Sequence, residues 1–352
     1  MADLKKGLKD KMPGNLHVGI IGCGVIAPEH ISAYQNIPGV TVSALCDTVR
    51  EKAQTLAERF RVGKVCTDMK ELLNWRELDA VSICTDHESH ADAAVAALEA
   101  GKHVLCEKPL SSSRKNMDRM IQAGERHPEL VFAGVFQHRF DHSVLYAKGL
   151  LDSGCFGKML CASLVMPCLR TDAYYFQDAW RGTWKQEGGS LLMNQAIHFI
   201  DLLQWLMGGV EDLRGFHANR NHEKSIETED CASAALRFRN GALGSILATS
   251  ASHLAWEPLL SFYGTECTLE LRNNRLLRFV SRDKELEKKV TEHFGSMEND
   301  VDSQKEKYYY GLGHPAQIRD FIAAIREKRA PRVTAQEARV AVDLVQRLYA
   351  RD

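Results

Sequence analysis

The sequence predicts an α/β protein with two structural parts, a parallel sheet covered by helices and a larger sheet built from consecutive strands. Three observations support this prediction. Strand-like and helical segments alternate along the first third of the chain, a glycine-rich loop follows the first strand, and strand-like runs without helical crossovers dominate the later part. The pattern changes near Phe136, so we expect domains over 1–136 and 137–352.

Six apolar runs with intervening helical segments make up the N-terminal part: HVGII, TVSALC, VGKVC, AVSICT, HVLCEK and LVFAGV. Alternation of this kind favours a parallel sheet with helices on both faces, and ligands collect beyond the carboxyl ends of such strands. Several candidate site residues stand at these ends, namely Cys84, Thr85, Glu107, Lys108 and Phe136.

The first strand leads into the loop HVGIIGCGVIAPEH, in which Gly22, Gly24 and Ala27 precede a helical segment. The first glycine permits a tight turn, the second lets a pyrophosphate approach the backbone, and a small third residue lets helix and strand pack closely. The strand, turn and helix together predict a Rossmann domain that binds a dinucleotide. A structural turn that is only glycine-rich is the alternative.

Asp47 ends the second strand, at the spacing where an acid meets the adenosine ribose. A carboxylate accepts hydrogen bonds from both ribose hydroxyls and opposes a 2′-phosphate, so NAD is favoured over NADP. Arg50 weakens that preference, because an arginine near this strand end can hold a 2′-phosphate. Asp47 can also serve as the N-cap of the following helix, and the two roles are compatible.

The C-terminal part predicts an α+β domain on a large, mostly antiparallel open sheet. Helices are expected at about 141–152 and 189–207, and the charged run over about 283–310 is interpreted as a surface excursion. Two final amphipathic helices should pack on the body of the protein. The expected strands contain LRGFHANR, CASAALRFR, ALGSILATSA, PLLSFYG and CTLELR.

Composition limits the partners. The 352 residues carry a net charge of −1 with interspersed signs, which provides no basic field for nucleic acid. No apolar segment has transmembrane length and the first residues are too polar for a signal peptide, so no membrane association and a cytoplasmic location are expected. The ten cysteines show no CxxC pair and are interpreted as small hydrophobic side chains in a reducing compartment, and no metal site is expected.

Lys108 directly follows a predicted buried strand, where desolvation would lower the pKa of its ammonium. There it can donate a hydrogen bond to a reacting hydroxyl, or accept the proton if it is neutral. The alternative is an exposed loop lysine.

The segment around His198 is apolar almost all round and must be buried, so its polar residues are informative. Asn194, His198 and Asp201 fall at spacings of four and three and form one stripe. These three residues therefore face one another or a wet cavity. A histidine satisfied within the core is the alternative to a catalytic one.

These pieces resemble the Gfo/Idh/MocA family, the glucose-fructose oxidoreductase and inositol dehydrogenase group, over nearly the whole chain. The matching stretches are GCGVIA, ALEAGKHVLCEKP, GVFQHRF, GGSLLMNQAIHFIDLL and HPAQIRDFIAAI. The resemblance implies a Rossmann domain followed by a domain with a large open sheet, which often forms dimer or tetramer contacts. A homodimer or homotetramer is therefore expected.

The resemblance also implies that Lys108 and His198 are the catalytic pair, with His198 as the leading acid/base. Many members have aspartate where this chain has Asn194, and asparagine cannot take a proton, so Asn194 is expected to orient the substrate. The expected dinucleotide contacts are Gly22, Gly24, Val25, Ile26, Asp47, Arg50, Thr85, His90, Glu107, Lys108 and Gln137.

The segment from Arg170 onward also resembles the branch that includes UDP-N-acetylglucosaminuronate 3-dehydrogenases. Aromatic faces stack on sugars and guanidinium groups fork onto carboxylates, so this segment predicts a polyol pocket. The aromatics can instead pack the domain interface while the arginines bind carbonyls, and that alternative is favoured for Arg170. The expected substrate contacts are Lys108, Tyr174, Arg181, Trp184, Asn194 and His198.

We therefore expect an NAD-dependent dehydrogenase of a sugar, sugar acid, nucleotide sugar or inositol. In this hypothesis His198 takes the hydroxyl proton while hydride moves to the nicotinamide. An NAD-assisted glycosidase and a non-catalytic sugar sensor are the alternatives. Sensors tend to lose the lysine or the histidine, and both are present here.

Overall fold

The computed structural model describes residues 15–298 and 313–350. The N-terminal part is a six-stranded sheet with strand order β3-β2-β1-β4-β5-β6, in which all neighbours are parallel. All six predicted strands are confirmed. The strands are β1 (Leu16–Ile21), β2 (Val40–Cys46), β3 (Lys64–Cys66), β4 (Ala80–Ile83), β5 (His103–Cys106) and β6 (Phe132–Gly134).

Helices cover both faces of this sheet and connect its parallel strands. They are α1 (Ala27–Gln35), α2 (Arg50–Phe60), α3 (Met69–Leu73), α4 (His90–Glu99) and α5 (Arg114–Arg126). Strand β4 is buried at every position, as the continuous apolar run AVSI requires of a strand covered on both faces. The carboxyl ends of β1, β2, β4 and β5 therefore meet at one edge of the sheet.

The C-terminal part begins with a 3₁₀ turn (Gln137–Phe140) and contains an eight-stranded sheet. The strands are β7 (Met159–Leu169), β8 (Val210–Ala218), β9 (Cys231–Phe238), β10 (Leu243–Thr249), β11 (Ala251–Trp256), β12 (Leu259–Gly264), β13 (Cys267–Arg272) and β14 (Arg275–Ser281). Their order is β14-β13-β12-β7-β10-β9-β8, with β11 paired to β7. The predicted mostly antiparallel sheet is confirmed, and β7 and β10 form its parallel pair.

The C-terminal part also contains helices. They are α6 (His142–Asp152), α7 (Asp172–Tyr175), a π-helical turn (Leu191–Ala196) that continues into α8 (Ile197–Leu206), α9 (Lys284–Glu298), α10 (Gly313–Glu327) and α11 (Ala335–Tyr349). The two helices expected at about 141–152 and 189–207 are thus present. The second helix begins as a π-helical turn and continues as an α-helix, a change that the apolar pattern does not predict.

The expected surface excursion over 283–310 is wrong for its first half. Residues 284–298 form α9, whose Val290 and Phe294 are buried against neighbouring elements including β14 and α6. The high charge of this segment belongs to the exposed side of an amphipathic helix. The second half of the run lies outside the described residues, as does the polar N-terminal lead-in.

The two final helices pack on the body of the protein, as predicted. Helix α10 packs on α1, and its Ile318, Phe321 and Ile322 join the core beneath the N-terminal sheet. Helix α11 begins with a capping box between Thr334 and Glu337. The last part of the chain therefore returns to the first sheet. No described helix is long and apolar enough to cross a membrane.

Candidate active site

A cleft of about 1210 Å³ opens at the carboxyl ends of the parallel strands. The first sheet supplies the glycine loop, the end of β2 and the turn after β5, and the second part supplies the π-helical turn and the segment after β7. Its lining includes Gly22, Gly24, Val25, Ile26, Asp47, Lys52, Thr85, His87, Glu107, Lys108, Gln137, Arg170, Tyr174, Trp180, Arg181, Asn194, Gln195, His198, Trp256 and His314.

The glycine loop is shaped for close approach of a ligand to the backbone. Gly22 has φ +91°, and a Cβ there would lie 2.6 Å from the backbone of Cys84. A Cβ on Gly24 would meet nothing within 4 Å, so the space beside it is open. Helix α1 starts after Ile26 without a side-chain cap. Pro28 has no N–H and the Glu29 N–H is donated to Ile26 O at 3.0 Å, so the Ala27 N–H is the amide of the first turn that can face an anion. These features fit a dinucleotide pyrophosphate.

Asp47 links the end of β2 to the glycine loop. Its Oδ2 accepts a hydrogen bond from the backbone N of Cys23 at 2.7 Å, and its Oδ1 accepts one from the backbone N of Val49 at 2.8 Å. Asp47 is not the N-cap of α2, because Val49 holds that position. Arg50 does not line the cleft. Lys52, two residues further along α2, does line it.

Lys108 enters the cleft directly after β5 and contacts the opposite part of the molecule. Its Nζ donates to the backbone O of Asn194 at 3.0 Å and to the side-chain Oδ1 of Asn194 at 2.8 Å. Burial lowers the pKa of Lys108 to about 8, even though the carboxylates of Glu107 and Glu187 favour the charged form. The exposed-loop interpretation of this lysine is therefore wrong.

Glu107 is buried behind Lys108 and held by histidines. Its Oε1 lies 2.9 Å from His30 Nε2 and 3.7 Å from His314 Nε2, and Ser82 Oγ lies 3.1 Å from His30 Nδ1. Burial alone would raise the pKa of Glu107, but hydrogen bonds from His30 and His314 hold it well below its usual range. Neither histidine belongs to a pattern that predicts a site from the sequence, although a ring nitrogen of each and a carboxylate oxygen of Glu107 lie within 4.8 Å of one another.

His198 lines the cleft from the first turn of α8. Its ring lies edge-on to Phe136 and His138, with centroid distances of 5.8 and 5.2 Å. Burial, followed by the positive charge of Lys108, lowers the pKa of His198 well below its ordinary value. Its Nδ1 is buried without a hydrogen-bond partner among the described residues. The imidazole is therefore neutral near pH 7.

The predicted stripe is only partly correct. Asn194 and His198 line the cleft, whereas Asp201 is fully buried away from it. Its two carboxylate oxygens accept hydrogen bonds from Arg139 Nε at 2.7 Å and from Arg139 NH2 at 2.6 Å. Because the Arg139 guanidinium pairs with both oxygens, the Asp201 carboxylate is satisfied without facing the cleft.

Aromatic and basic side chains form the far end of the cleft. The Arg181 guanidinium lies 4.3 Å from the ring centroid of Tyr174 and 4.9 Å from that of Trp180, and its Nε donates to Asp178 at 3.0 Å. Arg170 donates to the backbone O of Leu169 at 3.0 Å and to Gln195 Oε1 at 2.6 Å. Arg170 thus binds a nearby carbonyl, as the favoured alternative expects, but it also lines the cleft.

Two further expected contacts lie outside the cleft lining. Trp184 is 41% exposed, and its ring packs against Tyr349 with a centroid distance of 5.1 Å. His90 is buried, and its ring nitrogens lie 2.8 Å from the backbone O of Pro109 and 3.2 Å from that of Thr85. His90 therefore supports the loops that present Thr85 and Lys108.

Two buried polar residues of the site were not predicted from the sequence, His87 in the cleft lining and Glu187 behind it. His87 Nδ1 lies 2.9 Å from the backbone O of Glu187, and its ring is 5.1 Å from Trp180. The Glu187 carboxylate contacts the side chain of Asn194 at 2.6 Å. Both follow turns with no periodic pattern, so the sequence offered no signal apart from the Gly188–Gly189 pair that redirects the chain.

Fold and cleft define the class of protein. The strand order, the open glycine loop and Asp47 are those of a dinucleotide-binding Rossmann domain, and a lysine and a neutral histidine share its cleft. The chain belongs to the Gfo/Idh/MocA oxidoreductase family. Two domain profiles match, "Oxidoreductase family, NAD-binding Rossmann fold" over residues 16–135 and "Oxidoreductase family, C-terminal alpha/beta domain" over residues 148–352. It is an NAD-dependent oxidoreductase that acts on CH–OH groups.

Individual relatives agree with this assignment. The chain is 25% identical to myo-inositol 2-dehydrogenase of Thermotoga maritima over 332 residues, which is 93% of each chain. It is 27% identical to levoglucosan dehydrogenase of Pseudarthrobacter phenanthrenivorans over 277 residues, 68% of each chain. The crystal structure of the WlbA dehydrogenase from Bordetella pertussis with NADH and UDP-GlcNAcA has a TM-score of 0.84 at 26% identity, covering 95% of this chain and 94% of that one.

Proposed function

We propose that the protein is a dehydrogenase that oxidises, or in reverse reduces, one ring carbon of a sugar, sugar acid, nucleotide sugar or inositol. The observation that supports this most is the pair formed by Lys108 and His198. Both line the cleft that contains the glycine loop, and the charge of Lys108 helps to keep His198 neutral. A positioned cation beside a neutral base is what oxidation of an alcohol requires.

The reaction uses these side chains as follows. Bound NAD supplies the hydride acceptor. The Lys108 ammonium donates a hydrogen bond to the reacting oxygen and stabilises the negative charge that develops there. Neutral His198 accepts the hydroxyl proton. Asn194 orients the reacting centre through Lys108, because its Oδ1 accepts a hydrogen bond from Lys108 Nζ.

We propose the following roles for the remaining cleft residues. Gly22, Gly24, Val25 and Ile26 hold the pyrophosphate, and Asp47 receives the adenosine ribose. Thr85, Glu107 and Gln137 surround the nicotinamide side of the cleft, since all three line it together with Lys108. Tyr174 and Arg181 form the substrate end.

A nucleotide-linked sugar with a carboxylate is the substrate class we favour. Arg170, Arg181, Tyr174 and Trp180 place two guanidinium groups and two aromatic rings at the end of the cleft. Guanidinium groups bind carboxylates and phosphates, and aromatic faces stack on sugars and bases. The likeness to a structure crystallised with UDP-GlcNAcA supports the same choice.

Absorbance of reduced nicotinamide tests both the dehydrogenase activity and the substrate class. Purified protein with NAD is offered free sugars, inositols, and nucleotide-linked sugars with and without a uronate carboxyl. We expect a signal with nucleotide-linked uronates only. A signal with free sugars or inositols would exclude the anion pocket and leave the dehydrogenase intact. Release of sugar without net NADH would indicate the glycosidase, and no turnover of any kind would indicate a sensor.

We also propose that the second sheet mediates a homodimer or homotetramer. Its outer face presents a row of register partners across four strands, Val165, Leu247, Ser233 and Phe216. Phe216 is 87% exposed and Leu247 is 56% exposed, and apolar surface of this kind marks an interaction site. Light scattering should give at least twice the monomer mass for the wild type and a smaller assembly for Phe216→Glu.

Two broader assignments belong to the same proposal. Residues 1–136 hold the cofactor and residues 137–352 hold the substrate, with α10 returning to the first sheet. The protein acts in the reducing cytoplasm, because all ten cysteines are free. Titration with a thiol reagent under denaturing, non-reducing conditions should count ten thiols.

A further inference from the structure

Glu187 is a buried acid whose two carboxylate oxygens have separate tasks. Glu187 is fully buried, with 0% exposure. Its Oε2 accepts a hydrogen bond from the backbone N of Gly182 at 2.5 Å, and its Oε1 accepts one from Asn194 Nδ2 at 2.6 Å. The second contact fixes which end of the Asn194 amide faces the carboxylate.

The Asn194 side-chain amide also accepts a hydrogen bond from Lys108. With Nδ2 held by Glu187, the Oδ1 of Asn194 points at Lys108 Nζ and accepts its hydrogen bond at 2.8 Å. The reverse orientation would present an N–H group to an ammonium and a carbonyl oxygen to a carboxylate, with no hydrogen bond at either end. One amide therefore joins a buried negative charge to the Lys108 ammonium.

Glu107 is the other acid beside Lys108, and its charge raises the pKa of Lys108 more than the charge of Glu187 does. Its Oε1 faces His30 and His314, and its Oε2 accepts a hydrogen bond from the backbone N of Lys108 at 3.1 Å. Among the described residues, no hydrogen bond joins Glu107 to the Lys108 Nζ that enters the cleft. Asn194 itself carries no charge. Glu187 is thus the buried carboxylate that is aligned with Lys108 through a hydrogen-bonded path.

We propose that Glu187 is a positioning residue for the reaction, which acts through Asn194 to hold Lys108 charged and pointed into the cleft. The inference rests on the proposed function of Lys108. Glu187 touches neither the reacting hydroxyl nor the cofactor in this scheme. Its effect is on the pKa and the direction of the lysine that does.

Several ionisable groups surround Glu187 and set its own charge. Burial raises the pKa of Glu187 to about 7, and Glu229 adds to this, whereas the Gly182 and Asn194 hydrogen bonds and the charge of Arg181 lower it. Lys108, Tyr174, Tyr175 and Tyr349 also interact with its charge. Below about pH 7 protonation of Glu187 weakens the hold on Lys108.

The central experiment moves the negative charge from position 187 to position 194, which is one step along the hydrogen-bonded path to Lys108. In Glu187→Gln the new amide can satisfy Gly182 or Asn194 but not both, and the negative charge is lost. In the double variant Glu187→Gln with Asn194→Asp, the new carboxylate accepts from Lys108 directly. The new glutamine then donates to that carboxylate and accepts from Gly182. Every donor and acceptor is paired again.

Glu229→Gln is the matched control. Glu229 is another buried carboxylate beside the π-helical turn, and it accepts hydrogen bonds from Leu192 N at 2.9 Å and Tyr349 Oη at 2.6 Å. No hydrogen bond from Asn194 or Lys108 reaches it among the described contacts. This variant reports the structural cost of removing a buried acid from the same region.

We expect Glu187→Gln to lower kcat about tenfold, the size of coupling within one hydrogen-bond network, with KM little changed. The Lys108 limb of the pH profile should move about one unit to lower pH, since loss of a nearby opposite charge lowers a lysine pKa. The double variant should restore the limb and most of kcat. Glu229→Gln should lower the melting temperature without moving the limb.

A wild-type pH limb in Glu187→Gln, or a double variant no better than the single one, would overturn the inference. NMR titration of isotopically labelled lysine, with Lys108 assigned by its absence from Lys108→Met, gives a readout that needs no turnover. If the wild type oxidises no sugar but the Lys108 titration still moves, the proposed function fails and the link from Glu187 to Lys108 stands. If turnover is normal and the titration does not move, the link fails alone.

Discussion

The side chain of Lys108 is hydrogen-bonded to Asn194 across the cleft, with Nζ 2.8 Å from Oδ1 and 3.0 Å from the backbone O. The lysine follows a strand of the first sheet, and the asparagine lies on the π-helical turn beside the second. A single side chain thus connects the cofactor half of the cleft to the substrate half. Changes on either side of this contact should alter the chemistry more than the fold.

Removal of either proposed catalytic group should abolish most turnover. We expect Lys108→Ala and His198→Ala each to reduce kcat by about 10²–10⁴-fold, the contribution typical of a general acid or base. NADH binding, followed by fluorescence, should weaken much less than kcat falls, because the glycine loop and Asp47 are unchanged in both variants. His253→Ala, at an exposed position of β11, is the surface control. Near-normal turnover in both cleft variants would refute the assignment.

The pH dependence of sugar oxidation should report the two groups separately. Burial places the pKa of Lys108 at about 8 and that of His198 well below its ordinary value. His198 therefore remains a competent base throughout neutral pH, and the Lys108 ammonium is lost as pH rises past about 8. We expect kcat/KM for oxidation to fall as pH rises above 8. As pH is lowered from 8 to 7, protonation of His198 should cause no fall in kcat/KM.

Lys108→Arg identifies the group behind that limb. Arginine remains charged throughout this range, so the decline above pH 8 should disappear even if the maximal rate is reduced. A decline that persists in this variant belongs to another group. A rate that instead rises through pH 8 in the wild type would make neutral Lys108 the base.

Cofactor preference should depend on Asp47. We expect Asp47→Ser to weaken NAD binding about 10- to 100-fold, as for loss of hydrogen bonds to a charged group. Binding of NADP should improve, because Lys52 lines the same part of the cleft. The double variant Asp47→Ser with Lys52→Ala should lose that gain. Fluorescence titrations with NADH and NADPH measure both, and an unchanged ratio of the two affinities would contradict the role of Asp47.

The fold was largely predictable from local patterns. Apolar runs such as AVSI and HVLC, separated by helical segments and preceded by a glycine loop, predict the parallel sheet, because burial on both faces demands continuous apolar strands. The parallel pairing of β7 with β10 was not predictable. The intervening segments place strands far apart in sequence side by side, and strand periodicity contains no information about partners.

The site was predictable only where residues follow strands or share a motif. Lys108 follows β5, and His198 belongs to a motif on a buried apolar helix. Glu187, by contrast, reaches Asn194 because Gly188 and Gly189 take φ values of +77° and +127°, a geometry that no periodicity encodes. Asp201 shared the polar spacing of Asn194 and His198, yet Arg139 from a distant turn is its partner. Long-range partners of this kind cannot be deduced from one segment.

Breaking the buried Arg139–Asp201 pair should destabilise the fold strongly. Both side chains are at most 4% exposed and the contact is bidentate. In Asp201→Asn the buried guanidinium loses its bidentate carboxylate and retains the more distant Glu337 Oε1 at 3.8 Å, so the variant should lower the free energy of unfolding by about 3–5 kcal/mol. Arg119→Ala, which breaks a contact with Asp92 on the surface, should have no resolvable effect. Similar denaturation midpoints for the two variants would refute the prediction.

Two glycines in the loop after β1 should respond differently to the same substitution. In Gly22→Ala the new methyl would lie 2.6 Å from the backbone of Cys84 at a φ of +91°, so the loop cannot keep its shape. In Gly24→Ala the methyl meets no protein atom within 4 Å. We therefore expect Gly22→Ala to lose both thermal stability and NADH binding.

Gly24→Ala should keep the wild-type melting temperature and still weaken NADH binding, because its methyl occupies the space that the pyrophosphate needs. Calorimetric melting without ligand and fluorescence titration with NADH separate the two effects. Tight NADH binding by Gly24→Ala would show that the dinucleotide does not approach the backbone at this glycine. The open space beside Gly24 would then have no role in holding the cofactor.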